Sequence, residues 1–127
     1  MKKSIVYLGI ALVAFTNVSL ASNTSFGEIK KIKTEYYGAS PMNIAISKGD
    51  IKMVIKFLEY GTDVNKITED DMTPLMTAAR YNKAEIMKIL LGQGARPGAK
   101  NSKGFTALKY AQLSNATEAV AILNNLK

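Results

Sequence analysis

Three consecutive acidic residues, Glu69, Asp70 and Asp71, form the densest group of side chains that could do chemistry. Paired carboxylates can act as general acid and base, and carboxylate oxygens can bind calcium. A calcium loop needs more oxygen ligands, at an ordered spacing, than this segment supplies. The sequence therefore favours the alternative interpretation, a solvated loop tip, over a metal or catalytic site.

Histidine and cysteine are both absent from the 127 residues. The first absence removes the usual general base and the commonest metal ligand, and the second removes thiolate nucleophiles and disulfides. Neither Gly92-Gln93-Gly94 nor Pro97-Gly98 resembles a phosphate-binding loop. We expect a protein that is not an enzyme and that needs no metal and no cofactor.

The charge balance is basic, with 17 lysines and arginines against 10 acidic residues and a net charge of +7. Such a surface favours anionic partners, although lysines scattered along a chain are also typical of a merely soluble surface. Nucleic-acid binding requires a dense basic stripe, and the single cluster is Lys30-Lys31-Ile32-Lys33. We therefore expect no nucleic-acid partner.

Residues 1–21 have the layout of a secretory signal peptide. Two lysines precede the apolar stretch Ile5 to Phe15, and small residues stand at Ser19 and Ala21. An uncleaved membrane anchor is the alternative, but it requires about 20 consecutive apolar residues. We predict cleavage after Ala21, export to the periplasm or the outside of a bacterial cell, and no membrane span after cleavage.

Residues of similar type recur at an interval of 33 positions. Self-similarity at such a period indicates a stack of supersecondary units. The repeated columns are Ala45, Ala78 and Ala111; Val54, Met87 and Val120; Phe57, Leu90 and Leu123; and Gly49, Asn82 and Asn115.

Each unit is predicted to contain two short helices. Thr73 can cap a helix through its hydroxyl, and Pro74 suits the first helical turn. The Gly49 column holds only glycine and asparagine, which tolerate the left-handed backbone of a tight corner. The predicted helices are Pro41–Lys48 and Ile51–Tyr60, Pro74–Tyr81 and Ala84–Gly92, and Ala107–Leu113 and Thr117–Leu126.

Three segments resemble the ankyrin-repeat family, and one of them, Glu85-Ile86-Met87-Lys88-Ile89-Leu90-Leu91, is similar to its second-helix pattern. Thr73-Pro74-Leu75-Met76-Thr77-Ala78-Ala79 is similar to the helix-opening motif T-P-L-H-x-A-A, and Gly61-Thr62-Asp63-Val64-Asn65 closely matches G-A-D-V-N. The resemblance covers residues 39–127. It implies an all-α solenoid of about three helix-turn-helix units, the last one truncated, joined by loop or β-turn fingers. The expected units are 39–71, 72–104 and 105–127.

The sequence departs from the family pattern in two places. The motif histidine is replaced by Asn43, Met76 and Lys109 in the three units. The side-chain bonds by which that histidine ties adjacent loops together must therefore be weakened or replaced. Asp71 stands where the family has a loop glycine, which Gly104 retains. We expect the first loop to be distorted or less tightly turned.

Residues 22–38 precede the first unit and are predicted to form an N-terminal strap or partial cap. The segment Glu28 to Tyr37 carries apolar side chains that could cover the exposed edge of the stack. Tyr36-Tyr37 as a contact patch for a partner is the alternative interpretation.

The resemblance also implies a binding surface, because ankyrin proteins bind partners on the concave side formed by loop tips and short first helices. Arg80 and Tyr81 rank first, since Arg and Tyr are frequent energetic anchors. The predicted function is non-enzymatic binding of another protein, by a monomer; association with the cell envelope through a basic surface is the alternative. The candidate residues are Ser47, Lys48, Ile67, Glu69, Asp70, Met72, Arg80, Tyr81, Lys100, Ser102, Lys103, Phe105, Leu113 and Ser114.

Overall fold

The computed structural model describes residues 38–126. The predicted signal peptide and the predicted strap before Gly38 lie outside the described residues. Within the described range the chain forms helices and turns and contains no strand, which confirms the predicted all-α solenoid. The helices are α1 Pro41–Lys48, α2 Ile51–Glu59, α3 Pro74–Arg80, α4 Ala84–Gly92, α5 Ala107–Leu113 and α6 Thr117–Asn124.

The first helix of each unit starts at a hydroxyl cap. The side chains of Ser40, Thr73 and Thr106 each accept a hydrogen bond from the backbone N–H three residues further on. Pro41 and Pro74 occupy the first helical position, where the missing N–H costs no helical bond. The caps recur at the sequence period, so each unit begins in the same way.

The corner between the two helices of each unit uses a left-handed residue. Gly49, Asn82 and Asn115 have φ angles of 74°, 55° and 55°. The N–H of the following residue then donates back to a carbonyl of the first helix, as in Lys83 to Ala78 at 2.8 Å. The predicted role of this glycine and asparagine column is confirmed.

A second left-handed column lies just before each first helix. Gly38, Asp71 and Gly104 have φ angles of 76°, 62° and 76°. The expected distortion at Asp71 is therefore wrong, because aspartate tolerates this conformation better than most residues. The Asp71 carboxylate also gains two hydrogen bonds, from the backbone N–H of Ser102 at 3.1 Å and its hydroxyl at 2.5 Å.

The hydrophobic core runs through the stack. Helices α1, α3 and α5 pack side by side, and Ala45, Ala78 and Ala111 allow their close approach. The second helix of the middle unit, α4, buries Ile86, Met87 and Leu90, whereas α2 of the first unit buries Val54. Of the methionines at 42, 53, 72, 76 and 87, four are buried, and Met53 is exposed.

Side-chain amides tie adjacent units together, and one of them, Asn43, stands at a position where the family motif has histidine. Asn65 donates from Nδ2 to the Gly94 carbonyl at 3.1 Å and accepts from the N–H of Arg96 at 2.9 Å. Asn43 donates to the Met72 carbonyl at 3.4 Å. The predicted loop ties, weakened or replaced, are in the first unit replaced by the Asn43 bond.

Across positions 38–126, no helix combines the length and the apolar character needed to cross a membrane.

Candidate partner-binding surface

The ends of the first helices carry one group of predicted site residues. Arg80 is exposed and Tyr81 is half-buried, and the Arg80 guanidinium carbon lies 5.7 Å from the centroid of the Tyr81 ring. At equivalent positions of the other units lie Ser47, Lys48, Leu113 and Ser114. Lys48, Leu113 and Ser114 are exposed, whereas the half-buried Ser47 donates its hydroxyl to the Ile44 carbonyl at 2.8 Å.

Met72 does not belong to the surface, which corrects the sequence prediction. Its side chain is only 4% exposed and is part of the core. The residue precedes α3 in the middle unit, which has a neighbouring unit on each side. Phe105 holds the same position in the last unit and remains half-buried.

The first finger, residues 60–73, places Ile67 and Glu69 in solvent. Ile67 is 45% exposed, which leaves an apolar contact available. Asp70 is half-buried and already engaged: its N–H donates to the Gly38 carbonyl at 3.2 Å, and its carboxylate accepts from the Thr68 hydroxyl. Of the acidic pair that the sequence assigned to the surface, Glu69 is therefore the more accessible member.

The second finger, residues 93–106, is organised around the buried side chain of Asn101. Its Oδ1 accepts from the N–H groups of Lys103 and Phe105, at 3.1 and 3.0 Å. Its Nδ2 donates to the Tyr110 hydroxyl at 2.7 Å, which fixes the finger to α5. Lys100 and Lys103 project from this turn and are exposed, as is Ser102.

An aromatic pair lies at the base of the second finger. The rings of Phe105 and Tyr110 pack edge to face, with centroids 5.7 Å apart and planes at 74°. The Lys109 ammonium lies 5.9 Å from the Phe105 centroid. Sequence reasoning missed Lys109 and Tyr110, although Lys109 precedes the exposed Leu113 by one helical turn, a spacing that places both on one face.

The acidic segment of the first finger works as a structural element. The hydroxyl and the N–H of Ser102 hold the pKa of Asp71 below its ordinary value, helped by the charge of Lys103. A carboxylate with a lowered pKa is a poor general base. Among residues 38–126, no three His, Cys, Asp or Glu side chains lie close enough together to hold a metal ion.

Replacement of Asp71 by asparagine should lower the melting temperature at neutral pH, because it removes the charged acceptor of the Ser102 hydrogen bonds. Asparagine also adopts the left-handed backbone conformation, so the change does not strain the turn. The folded-state pKa is lowered, so the carboxylate stabilises the fold above its ordinary pKa of about 4. That stabilisation is lost as the pH falls through the folded-state value. Thermal melts from neutral to acidic pH should show the difference between wild type and variant shrinking.

A matched control for Asp71→Asn is Glu69→Gln, which changes an exposed acid of the same finger. This control should have little effect on the melting temperature at any pH. Equal melting of the wild type and Asp71→Asn at neutral pH would show that the Ser102 bonds do not stabilise the finger.

The comparison with known proteins supports the same architecture. A family model described as ankyrin repeats, in three copies, matches residues 42–126. The chain belongs to the ankyrin-repeat family. Ankyrin repeats generally mediate protein–protein interactions, and the family is generally a non-enzymatic interaction module.

Relatives come from animals and from bacteria. Dauer abnormal formation protein 25 of Caenorhabditis elegans is 37% identical over 89 residues, covering 69% of this chain and 23% of that protein. Phosphocholine transferase AnkX of Legionella pneumophila is 34% identical over 82 residues, covering 64% and 9%. An ankyrin repeat protein of Rickettsia bellii is 32% identical over 107 residues, covering 80% and 64%. The chain spans less than two thirds of each of these relatives.

Proposed function

We propose that this ankyrin-repeat protein is a non-enzymatic module that binds another protein through its fingers and the ends of its first helices. The exposure pattern of α3 carries the proposal. Residues Pro74 to Ala79 are all buried, whereas Arg80 is exposed and its guanidinium carbon lies over the Tyr81 ring, 5.7 Å from the centroid. A large cationic and aromatic pair at the edge of an otherwise buried helix adds little to the core and is typical of interface anchors.

The double change Arg80→Glu with Tyr81→Ala tests this anchor. Exposed substitutions usually change stability by about 0.5 kcal/mol or less, and the half-buried Tyr81 should add modestly to that. An anchor residue lost from an interface costs about 2 kcal/mol or more, which weakens binding about thirtyfold. We expect a nearly unchanged melting temperature and strongly reduced capture of partners from a periplasmic extract, as measured by mass spectrometry.

Lys88→Glu is the control for that experiment. Lys88 lies on the exposed face of α4 and pairs with Glu85 at 3.6 Å, with both side chains largely in solvent. Such a pair contributes about 0–1 kcal/mol. The control should alter neither melting nor capture. Loss of capture in Lys88→Glu but not in the double variant would place the binding face on the opposite side of the stack.

We propose that the protein acts in the bacterial periplasm or outside the cell. The support is the order of lysines, apolar stretch and small residues in positions 1–21. Intact-mass analysis of protein from a periplasmic fraction should give a chain that begins at Ser22. Recovery of the full-length chain from the cytoplasm would contradict export.

A further inference from the structure

Charge is distributed unevenly along the stack. The segment from Asp50 to Glu85 contains seven acidic and five basic residues, whereas the segment from Ile86 to Thr117 contains five basic residues and no acidic one. All five of these cations are exposed. From Ile86 to Leu126 the stack has one acidic residue, the exposed Glu118, against these five cations, so its last part presents a positive field. The five are Lys88, Arg96, Lys100, Lys103 and Lys109.

Three of these lysines belong to the second finger and to the first turn of α5, which follows it. Lys100 and Lys103 flank Asn101, whose side chain fixes the finger to Tyr110, and Lys109 lies over the Phe105 ring. Leu113 follows Lys109 by one helical turn and is 59% exposed. We define Lys100, Lys103, Phe105, Lys109 and Leu113 as the basic finger patch.

None of the patch lysines forms an ion pair with a carboxylate of residues 38–126. The ion pair between Lys88 and Glu85 on α4 lies outside the patch. The Asp71 carboxylate accepts two hydrogen bonds from Ser102 and keeps its negative charge, which offsets part of the charge of Lys103 and leaves Lys100 and Lys109 unaffected. The patch lysines are therefore available to negative charges of a partner, on a finger that is already held in place.

We propose that the basic finger patch binds an acidic segment of a partner protein, with an apolar side chain of that segment packed against Phe105 and Leu113. This inference rests on the proposed protein-binding function and specifies the chemistry of the partner. Aromatic side chains are enriched at the centre of protein interfaces, and charged groups around such a centre select a partner of complementary charge. Nucleic acid fits less well, because base stacking needs an open ring face, and Lys109 and Tyr110 crowd Phe105.

A selection of displayed random peptides on the purified protein tests the proposal and does not require the natural partner to be identified. We expect the selected peptides to be enriched in Asp and Glu with interspersed apolar residues. The variant Lys100→Glu, Lys103→Glu and Lys109→Glu should bind them about 10- to 100-fold more weakly, since each reversal turns an attraction into a repulsion. Fluorescence anisotropy at two salt concentrations measures these affinities, which should fall as salt rises.

The control variant carries the same change of charge elsewhere. Lys52→Glu, Lys56→Glu and Lys88→Glu alter exposed residues of α2 and α4. It should retain the peptide affinity within about threefold, because screened charges outside the interface contribute little. Circular dichroism confirms folding, and glutamine substitutions at the patch lysines replace the glutamate variant if that variant does not fold.

The following results would each contradict the proposed binding of an acidic segment. Selected peptides without acidic enrichment, or peptides that bind both variants equally, would overturn the patch while leaving protein binding in place. Suppose that no peptide is selected, and that partner capture is unchanged in both the Arg80→Glu, Tyr81→Ala variant and the patch variant. These results together would overturn both proposals. Patch-dependent sedimentation with phosphatidylglycerol vesicles, without peptide binding, would replace the acidic segment by an anionic lipid surface.

Discussion

A protein that ends at Gly104 is expected to lose its cooperative thermal transition. The deletion removes α5 and α6, and these helices pack against α3 and α4 of the middle unit. It also leaves the buried Asn101 without the Tyr110 hydroxyl that accepts its hydrogen bond. Units of this size cannot bury their apolar faces alone, and about three are needed for a stable stack. Circular dichroism during heating provides the measurement.

The intact protein is the reference for this truncation. It should melt in one sharp transition, whereas the truncated chain should melt gradually, aggregate, or be unfolded at room temperature. A sharp transition of the truncated chain at the melting temperature of the intact protein would show that the first two units are stable without the third.

Leu90→Ala is expected to reduce the free energy of unfolding by about 2–5 kcal/mol, because it opens a cavity in the core of the stack. The Leu90 side chain is fully buried in that core. Chemical denaturation monitored by circular dichroism gives this free energy directly. A loss of this size is a large fraction of the total stability of a small domain.

Leu113→Ala makes the same chemical change at a residue that is 59% exposed. Its effect on the free energy of unfolding should be within about 0.5 kcal/mol. If the two variants were equally destabilised, the burial of Leu90 in the stack would be in error.

The sequence predicted the fold in detail because its signals are local and repeated. Hydroxyl caps, left-handed corners and apolar spacing occur three times, so the helices of the clearest unit predict where the helices of the other two units lie. Three helices end slightly earlier than predicted. Helices α2 and α3 end one residue earlier, at Glu59 and Arg80, and α6 ends two residues earlier, at Asn124. The predicted distortion at Asp71 was wrong because the Asp71 carboxylate accepts hydrogen bonds from Ser102, which lies 31 residues further along the chain, in the next finger.

The candidate surface was harder to predict, because exposure depends on which neighbours a unit has. Met72 and Phe105 are equivalent by the repeat, yet the first is buried and the second is half-buried. Ile86 is buried, whereas its equivalent Met53 in the first unit is 43% exposed. Periodicity identifies equivalent positions, but the order of units along the stack decides which of them solvent reaches. Lys109 was overlooked because its role depends on the ring of Phe105.

The pattern of helix packing has a consequence for the speed of folding. The principal contacts join helices of one unit or of adjacent units, so the contacting segments are close together in the sequence. Proteins dominated by such local contacts fold rapidly, since little chain entropy is lost in closing loops. Structure can start in any adjacent pair of units and spread to the next. A newly made chain of this kind exposes its apolar faces only briefly, which limits the time available for aggregation.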